Sequence, residues 1–298
     1  MAVLSLLPIL LQQSINGIVL GSLYVLVALG LTLIYGVLVQ INFAHADIVT
    51  LGAFSAYFFI HALGGGYLAG IGVACVVGGA LGWLLNAAIF SPLRDRGDEL
   101  RPLIATIGVS VLIENLALAW FGPVPYAFES PYSGYVIRFP GGFISAQSLL
   151  VVIVASVAIV ALYLFMHFTF LGKALRAVSQ DRETAGLMGI DPNRLIMLTF
   201  VIASALAGMG GAMLGPILVL TPFAGASVIV KAFAIVMIGG FGNMEGAIIA
   251  GLLVGLIESF TTQFLDPGLI DIVVFGLLLA TLAMRPTGLI AERREENV

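Results

Sequence analysis

Long apolar runs recur from Leu4 to Met284, and this recurrence constrains the chain more than any motif it carries. Inside a bilayer no water is available to a bare N–H or C=O, so a chain crosses only as helices or as a closed barrel. A barrel needs segments of about ten residues that alternate apolar and polar positions. The run from Leu149 to Phe165 is longer and does not alternate. Composition agrees: of 298 residues, 60% are hydrophobic and only 9% are charged, against about 25% charged in a soluble domain. Mean hydropathy is +1.14. These values exclude a soluble enzyme, a nucleic-acid-binding protein and a disordered chain. The expected fold is all-α, a polytopic transmembrane helix bundle of about 8–10 spans, some of them broken, in one domain over residues 1–298.

Apolar runs interrupted by polar or Gly/Pro clusters place the spans near 9–37, 47–63, 67–90, 102–121, 143–168, 195–220, 225–240, 246–264 and 269–285. The second and seventh are short enough to be broken or re-entrant. Positive charge orients them. Arg94, Arg96 and Arg101 share one connection, Lys173, Arg176, Arg182 and Arg194 another, and Arg285, Arg293 and Arg294 follow the last run. Together these are ten of the 12 Lys and Arg. If the nine runs cross in order, all three locations fall on one side, which the positive-inside rule makes cytoplasmic. The C-terminus is then cytoplasmic, and the loop from Gly122 to Gly142, with Arg138 alone, is external. Met1–Leu11 lacks the basic region and cleavage site of a removable signal peptide. The single cysteine, Cys75, lies in an apolar run and reads as a small packing residue.

An internal similarity suggests an inverted repeat. Gly17–Leu26 and Gly211–Leu220 agree at five of ten positions, and Phe43-Ala44-His45-Ala46 resembles Phe223-Ala224-Gly225-Ala226. The alternative is chance in a chain rich in Gly, Leu and Val. Inverted repeats place a transport pathway between their halves, often at interrupted helices.

Several chemistries find no motif. There is no G-x-x-x-x-G-K-[ST] loop for ATP, no H-E-x-x-H, no spacing of His45, His61 and His167 suited to a metal, and no nucleophile elbow. The chain is expected to hold no catalytic residue, metal or cofactor of its own. Polar residues within apolar runs then carry the interest, because charge in hydrocarbon is costly unless paired or hydrated. Asn42, His45 and Asp47 stand where the first run breaks, either lining a vestibule or capping the following helix. Glu114, Lys231 and Glu258 lie inside spans, either as structural pairs in a polar interior or as a relay. The segment Gly172–Arg194 contains good helix formers, with Gly189 able to end a short helix and Asp191-Pro192 able to start the next. Such a helix, with apolar Leu187, Met188 and Ile190 as anchors and Arg182 and Glu183 at the rim, suits a groove on a partner. The alternative is a solvated connector.

These residues also carry a resemblance over essentially the whole chain. Asn16-Gly17, Leu20-Gly21-Ser22-Leu23-Tyr24, Ala28-Leu29-Gly30-Leu31-Thr32, Tyr35-Gly36 and Ile41-Asn42-Phe43-Ala44-His45 resemble the LivH-type permease family of branched-chain amino acid ABC importers. So do Gly172–Ala177, Ala185–Ile190, Thr199-Phe200, Lys231-Ala232-Phe233, Gly239–Gly242 and Gly246-Ala247. The resemblance implies a multi-pass protein of a bacterial-type inner membrane, surrounded by lipid and binding no nucleic acid. It implies a second related permease, two cytoplasmic ATPase subunits that hold the ATP, and an extracytoplasmic substrate-binding protein. Glu183-Thr184-Ala185, followed after three residues by Gly189, resembles the E-A-A-x-x-x-G coupling loop of such importers. The implied coupling segment is Arg182, Glu183, Ala185, Gly186, Leu187, Met188, Gly189 and Ile190. The candidate pathway residues are Asn16, Asn42, Phe43, His45, Asp47, Glu114 and Lys231. One departure is that His45 is usually followed by Gly and Glu, and here by Ala46 and Asp47, which leaves amides, urea and aromatic acids beside aliphatic amino acids as substrates. An ion-coupled secondary transporter of small polar solutes, working through Asp47, Glu114, Glu258 or Lys231, is the alternative reading.

Overall fold

The computed structural model describes residues 2–94 and 100–290. Arg96, Arg293 and Arg294, three of the charges used above for orientation, lie outside the described residues. Twelve helices and one hairpin are described. α1 covers Ala2–Leu38, α2 His45–Leu63 and α3 Tyr67–Leu85. A π-helical turn, Asn86–Phe90, continues α3 into α4, Ser91–Arg94. α5 is Leu100–Phe121, and strands β1 (Val136–Phe139) and β2 (Gly142–Ser145) pair antiparallel. α6 is Ala146–Phe168, α7 Phe170–Gln180, α8 Arg182–Leu187 and α9 Pro192–Leu214. α10 is Ala224–Gly239, α11 Met244–Phe264, and a 3₁₀ turn at Pro267–Leu269 leads into α12, Ile270–Met284. Among the described residues, eight helical segments are long and apolar enough to cross a membrane, and α10 is a shorter apolar helix.

Helix starts follow from local chemistry. Ser145 accepts from the Ser148 amide to open α6, Asn243 accepts from Gly246 to open α11, and Asp191 with Pro192 in the first turn opens α9. α9 ends at Leu214, six residues short of the apolar run that continues to 220. Pro216 has no amide proton to give, and Leu220 instead exchanges backbone hydrogen bonds with Tyr126. Residues 143–145, expected in the fifth span, belong to β2.

The bundle is built from close glycine contacts. α1 lies along α11, where Gly21 and Gly255 meet backbone to backbone, and α3 lies along α9, where Gly78 faces Gly208. Such contacts suit membrane helices, whose association rests on packing rather than on the hydrophobic effect. The first and third helices of one half therefore pair with the third and first of the other. α2 and α10 lie between, N-terminus to N-terminus and running apart, so the halves are inverted relative to each other. The earlier similarity needs one correction. Phe43–Ala46 and Phe223–Ala226 do occupy matching starts of α2 and α10. Gly17–Leu26 lies mid-helix in α1, however, whereas Gly211–Leu220 covers the end of α9 and the loop beyond. Abundant Gly and Leu produced that second match without structural equivalence.

The ends of the bundle differ. The basic end gathers the end of α1, α7, α8, the starts of α5 and α9, and the segment after Arg285, so that Arg101, Lys173, Arg176, Arg182, Arg194 and Arg285 share it. The opposite end carries the hairpin with Arg138. There an aromatic cluster joins Phe54, Tyr57, Phe121, Tyr126 and Phe128, and Phe54 and Phe121 stack at 4.1 Å.

Candidate functional site

α1 stops at Val39, a β-branched residue held at φ 56°, where left-handed backbone is unfavourable for its side chain. The chain then folds back inside the protein and restarts at α2. His45 is fully buried beside Gly30 of α1, close enough that a Cβ on Gly30 would lie 2.8 Å from the ring. Asn42 is fully buried and Asp47 nearly so, facing Ser110 and Glu114 of α5. Both polar atoms of the Asn42 amide, both ring nitrogens of His45 and Asp47 Oδ2 have no hydrogen-bond partner among the described residues. Native proteins rarely leave so many buried polar atoms unpaired, so these are left for water or another polar group to partner. No side chain caps α2, so Asp47 sits in the first turn without the capping role that its position suggested.

α10 starts against the same place. Thr50 Oγ1 of α2 accepts from the Gly225 amide at 2.9 Å, and a Cβ on Gly225 would overlap the Ala46 carbonyl. The two interrupted helices thus meet. Phe43 rests on Phe233 of α10, with centroids 5.4 Å apart, and its amide donates to Thr106 of α5 at 3.4 Å. Lys231, mid-way along α10, pairs with Glu258 of α11 at 2.6 Å and donates to Tyr24 at 3.2 Å.

Of the candidate pathway residues, Asn42, Phe43, His45 and Asp47 form one cluster, with Glu114 at its edge. Lys231 belongs to a separate polar group. Asn16 is apart from the first cluster, exposed on α1, and hydrogen-bonded with Gln12 and with Gln13, through which it joins the polar strip leading from the second. The residues missed from sequence are Tyr24, Gln13, Ser259 and Gln263, which surround the Lys231–Glu258 pair or extend from it. Helical spacing of Gln13, Asn16 and Tyr24 on α1 was the available signal.

At the basic end, α7 packs Leu175 and Val178 inward and leaves Lys173 and Arg176 outside. Asp181 then caps α8 through the Glu183 and Thr184 amides, and Thr184 Oγ1 also donates to it. These hydrogen bonds hold the Asp181 carboxyl below its ordinary range. Gly189, at φ 84°, ends the helix, and the Ile190 amide bonds back to the Ala185 carbonyl. Leu187 and Met188 are 88% and 79% exposed. Ile190 is not: the turn at Gly189 carries it back onto the bundle, so the expected three-residue anchor has two members. Ala185 is buried, Gly186 and Glu183 are exposed, and Arg182 donates to Asn193 at 3.0 Å, fixing α8 to α9. Beside α7, a cavity of about 300 Å³ opens between α1, α6 and α11, with Arg176 and Glu245 in its wall.

Comparison with known proteins gives the context. No solved structure matches the chain. The high-affinity branched-chain amino acid transport system permease protein LivH of Escherichia coli K12 is 35% identical, over 97% of each chain. The corresponding protein BraD of Pseudomonas aeruginosa is 34% identical, over 97% of this chain and 98% of its own. LivM of Escherichia coli K12, also a permease protein of such a system, is 24% identical over 93% of this chain and 70% of its own. The family described as branched-chain amino acid transport system, permease component, matches residues 13–282. On that match and the identity to LivH, this chain belongs to the permease components of branched-chain amino acid transport systems.

Proposed function

We propose that the chain is the membrane-spanning subunit of an ATP-driven importer of branched-chain amino acids. It receives substrate from an extracytoplasmic binding protein and is driven by two ATPase subunits, which hold the ATP. A second permease of the LivM kind completes the pathway. The basic end faces the cytoplasm, placing the C-terminal segment there, and the membrane is the bacterial inner membrane. The observation that carries this reading is α8. A capped and glycine-terminated helix, tied to α9, displays two large apolar side chains away from the bundle. Burying each of them in a groove contributes about 1.5–3 kcal/mol, enough to pass a movement of the ATPases to α9.

The mechanism is alternating access. Closure of the ATPases on ATP pushes α8, and the halves shift about the meeting point of α2 and α10, where Asn42, His45 and Asp47 offer polar contacts to a passing solute. The test uses the assembled importer in vesicles. ATP-dependent leucine uptake is expected, together with its loss in Met188→Asp, which retains insertion but not ATPase binding because a charge enters an apolar groove. Uptake by this chain alone under a proton or sodium gradient would instead identify a secondary transporter. Normal ATPase binding by Met188→Asp would make α8 a mere connector.

A further inference from the structure

Lys231 and Glu258 lie near the middles of their helices, with side chains 15% and 10% exposed. Two of the three ammonium protons of Lys231 are engaged, by Glu258 and by Tyr24, whose ring also faces the ammonium with its centroid 5.3 Å away. Glu258 Oε1 takes the pair, while the buried Oε2 has no partner among the described residues. From this pair a polar strip leads outward. Ser259 donates to the Gln13 carbonyl at 2.8 Å, Gln13 Nε2 donates to Gln263 Oε1 at 2.8 Å, and exposed Asn16 donates to Gln13 Oε1 at 3.4 Å. A row of amides ending on a charge pair is expensive against lipid tails, so this face of α1 and α11 meets water or protein.

We infer that the Lys231–Glu258 pair is a transit subsite for the head group of a zwitterionic α-amino acid. The inference rests on the importer reading above and assigns the two side chains that meet the charged ends of its substrate. The carboxylate of the solute takes over Lys231, and its ammonium takes over Glu258, whose second oxygen is already unengaged. Parting α10 from α11 without a solute would leave two buried charges uncompensated, which is strongly unfavourable. A zwitterion supplies both counter-charges at once, so the helices part readily only when loaded. Urea and simple amides have no charge to offer, and an acid without an amine satisfies Lys231 alone.

The test uses the full importer in vesicles, with radiolabelled leucine. The neutral variant Lys231→Met/Glu258→Gln removes both charges, and the reversed variant Lys231→Glu/Glu258→Lys keeps the pair but exchanges its ends. The neutral variant should insert and assemble with the ATPases. Its leucine uptake should fall by about ten-fold or more, the scale of a lost charge-assisted hydrogen bond. The reversed variant should regain wild-type thermal stability without regaining uptake. A purely structural pair predicts the opposite, since reversal then restores transport. Wild-type uptake by either assembled variant overturns the subsite, as does failure of both variants to assemble. The unaltered complex separates the two readings: without ATP-driven leucine uptake there, the importer reading itself falls.

Discussion

The two interrupted helices occupy equivalent places in the inverted halves, yet they handle polarity in opposite ways. The break before α2 and its first turn hold Asn42, His45 and Asp47, all buried and all carrying polar atoms without partners. α10 begins with Gly225, whose amide is satisfied by Thr50, and keeps its one charge half-way along, paired with Glu258 and Tyr24. The first arrangement is under-satisfied and the second nearly closed. Repetition of a backbone therefore does not repeat the chemistry. One copy supplies polar groups without partners, and the other supplies close approach and an ion pair that keeps one carboxylate oxygen, Glu258 Oε2, unengaged.

Substitutions can break this contrast. The largest effect is expected for Lys231→Met alone, which strands Glu258 and should cost about 3–5 kcal/mol, read as a lowered unfolding temperature in detergent. Next comes Gly225→Ala. The added Cβ must displace the Ala46 carbonyl, and overpacking of this kind costs about 1–3 kcal/mol. Gly72→Ala, inside α3 and with nothing within 4 Å of its Cβ position, is the matched control and should not destabilise, gaining up to about 1 kcal/mol from helix propensity. Asn42→Leu should be near neutral, or stabilising by up to about 1–3 kcal/mol, because it removes a buried amide without partners. A cost as large as that of Lys231→Met would mean that Asn42 is bound by water or by another subunit, and the contrast would fail.

The smallest effect concerns Asp181, at the basic end. Its carboxyl is held below the ordinary value of 3.8, first by the Thr184 hydroxyl and then by backbone amides. A depressed carboxylate stabilises the folded form above its unfolded pKa and loses that contribution as pH falls through the lower folded one. Hydrogen exchange at the Glu183 and Thr184 amides should accordingly stay slow, after correction for intrinsic rates, from neutral pH to about pH 4. It should rise only below that, and protection already lost at pH 5 would contradict the cap.

Much of the bundle was legible because lipid imposes one rule on every span. The run at 225–240 became α10 at Ala224–Gly239, and 246–264 became α11 at Met244–Phe264. Legibility failed where something other than hydropathy decides. The run to 220 hid the end of α9, because the β-bridge of Leu220 to Tyr126 is a non-local bond. The π-helical turn at Asn86–Phe90, which ends with Phe90 packed on Phe200, leaves no local signature. At the candidate site, buried polar residues could be singled out by type alone. Which of them meet could not, since Lys231 of α10 and Glu258 of α11 are brought to Tyr24 only by the packing of both helices against α1.

The glycine seams have a mechanical consequence. Gly17 and Gly21 lie so close to the backbone of α11, at Gly255 and Leu256, that sliding one helix along the other by a single residue would drive a side chain into main chain. The α3–α9 seam, through Gly78, Gly82, Ser204 and Gly208, is locked in the same manner. Each pair behaves as a stiff double beam that tilts or rotates as a unit. The two beams meet where Gly30 of α1 lies against the Ala203 carbonyl of α9, and where the starts of α2 and α10 overlap. On the coupling role proposed for α8, a push delivered at Met188 would reach α9 directly through the Arg182–Asn193 tie, and through α9 it would lever α3 as well.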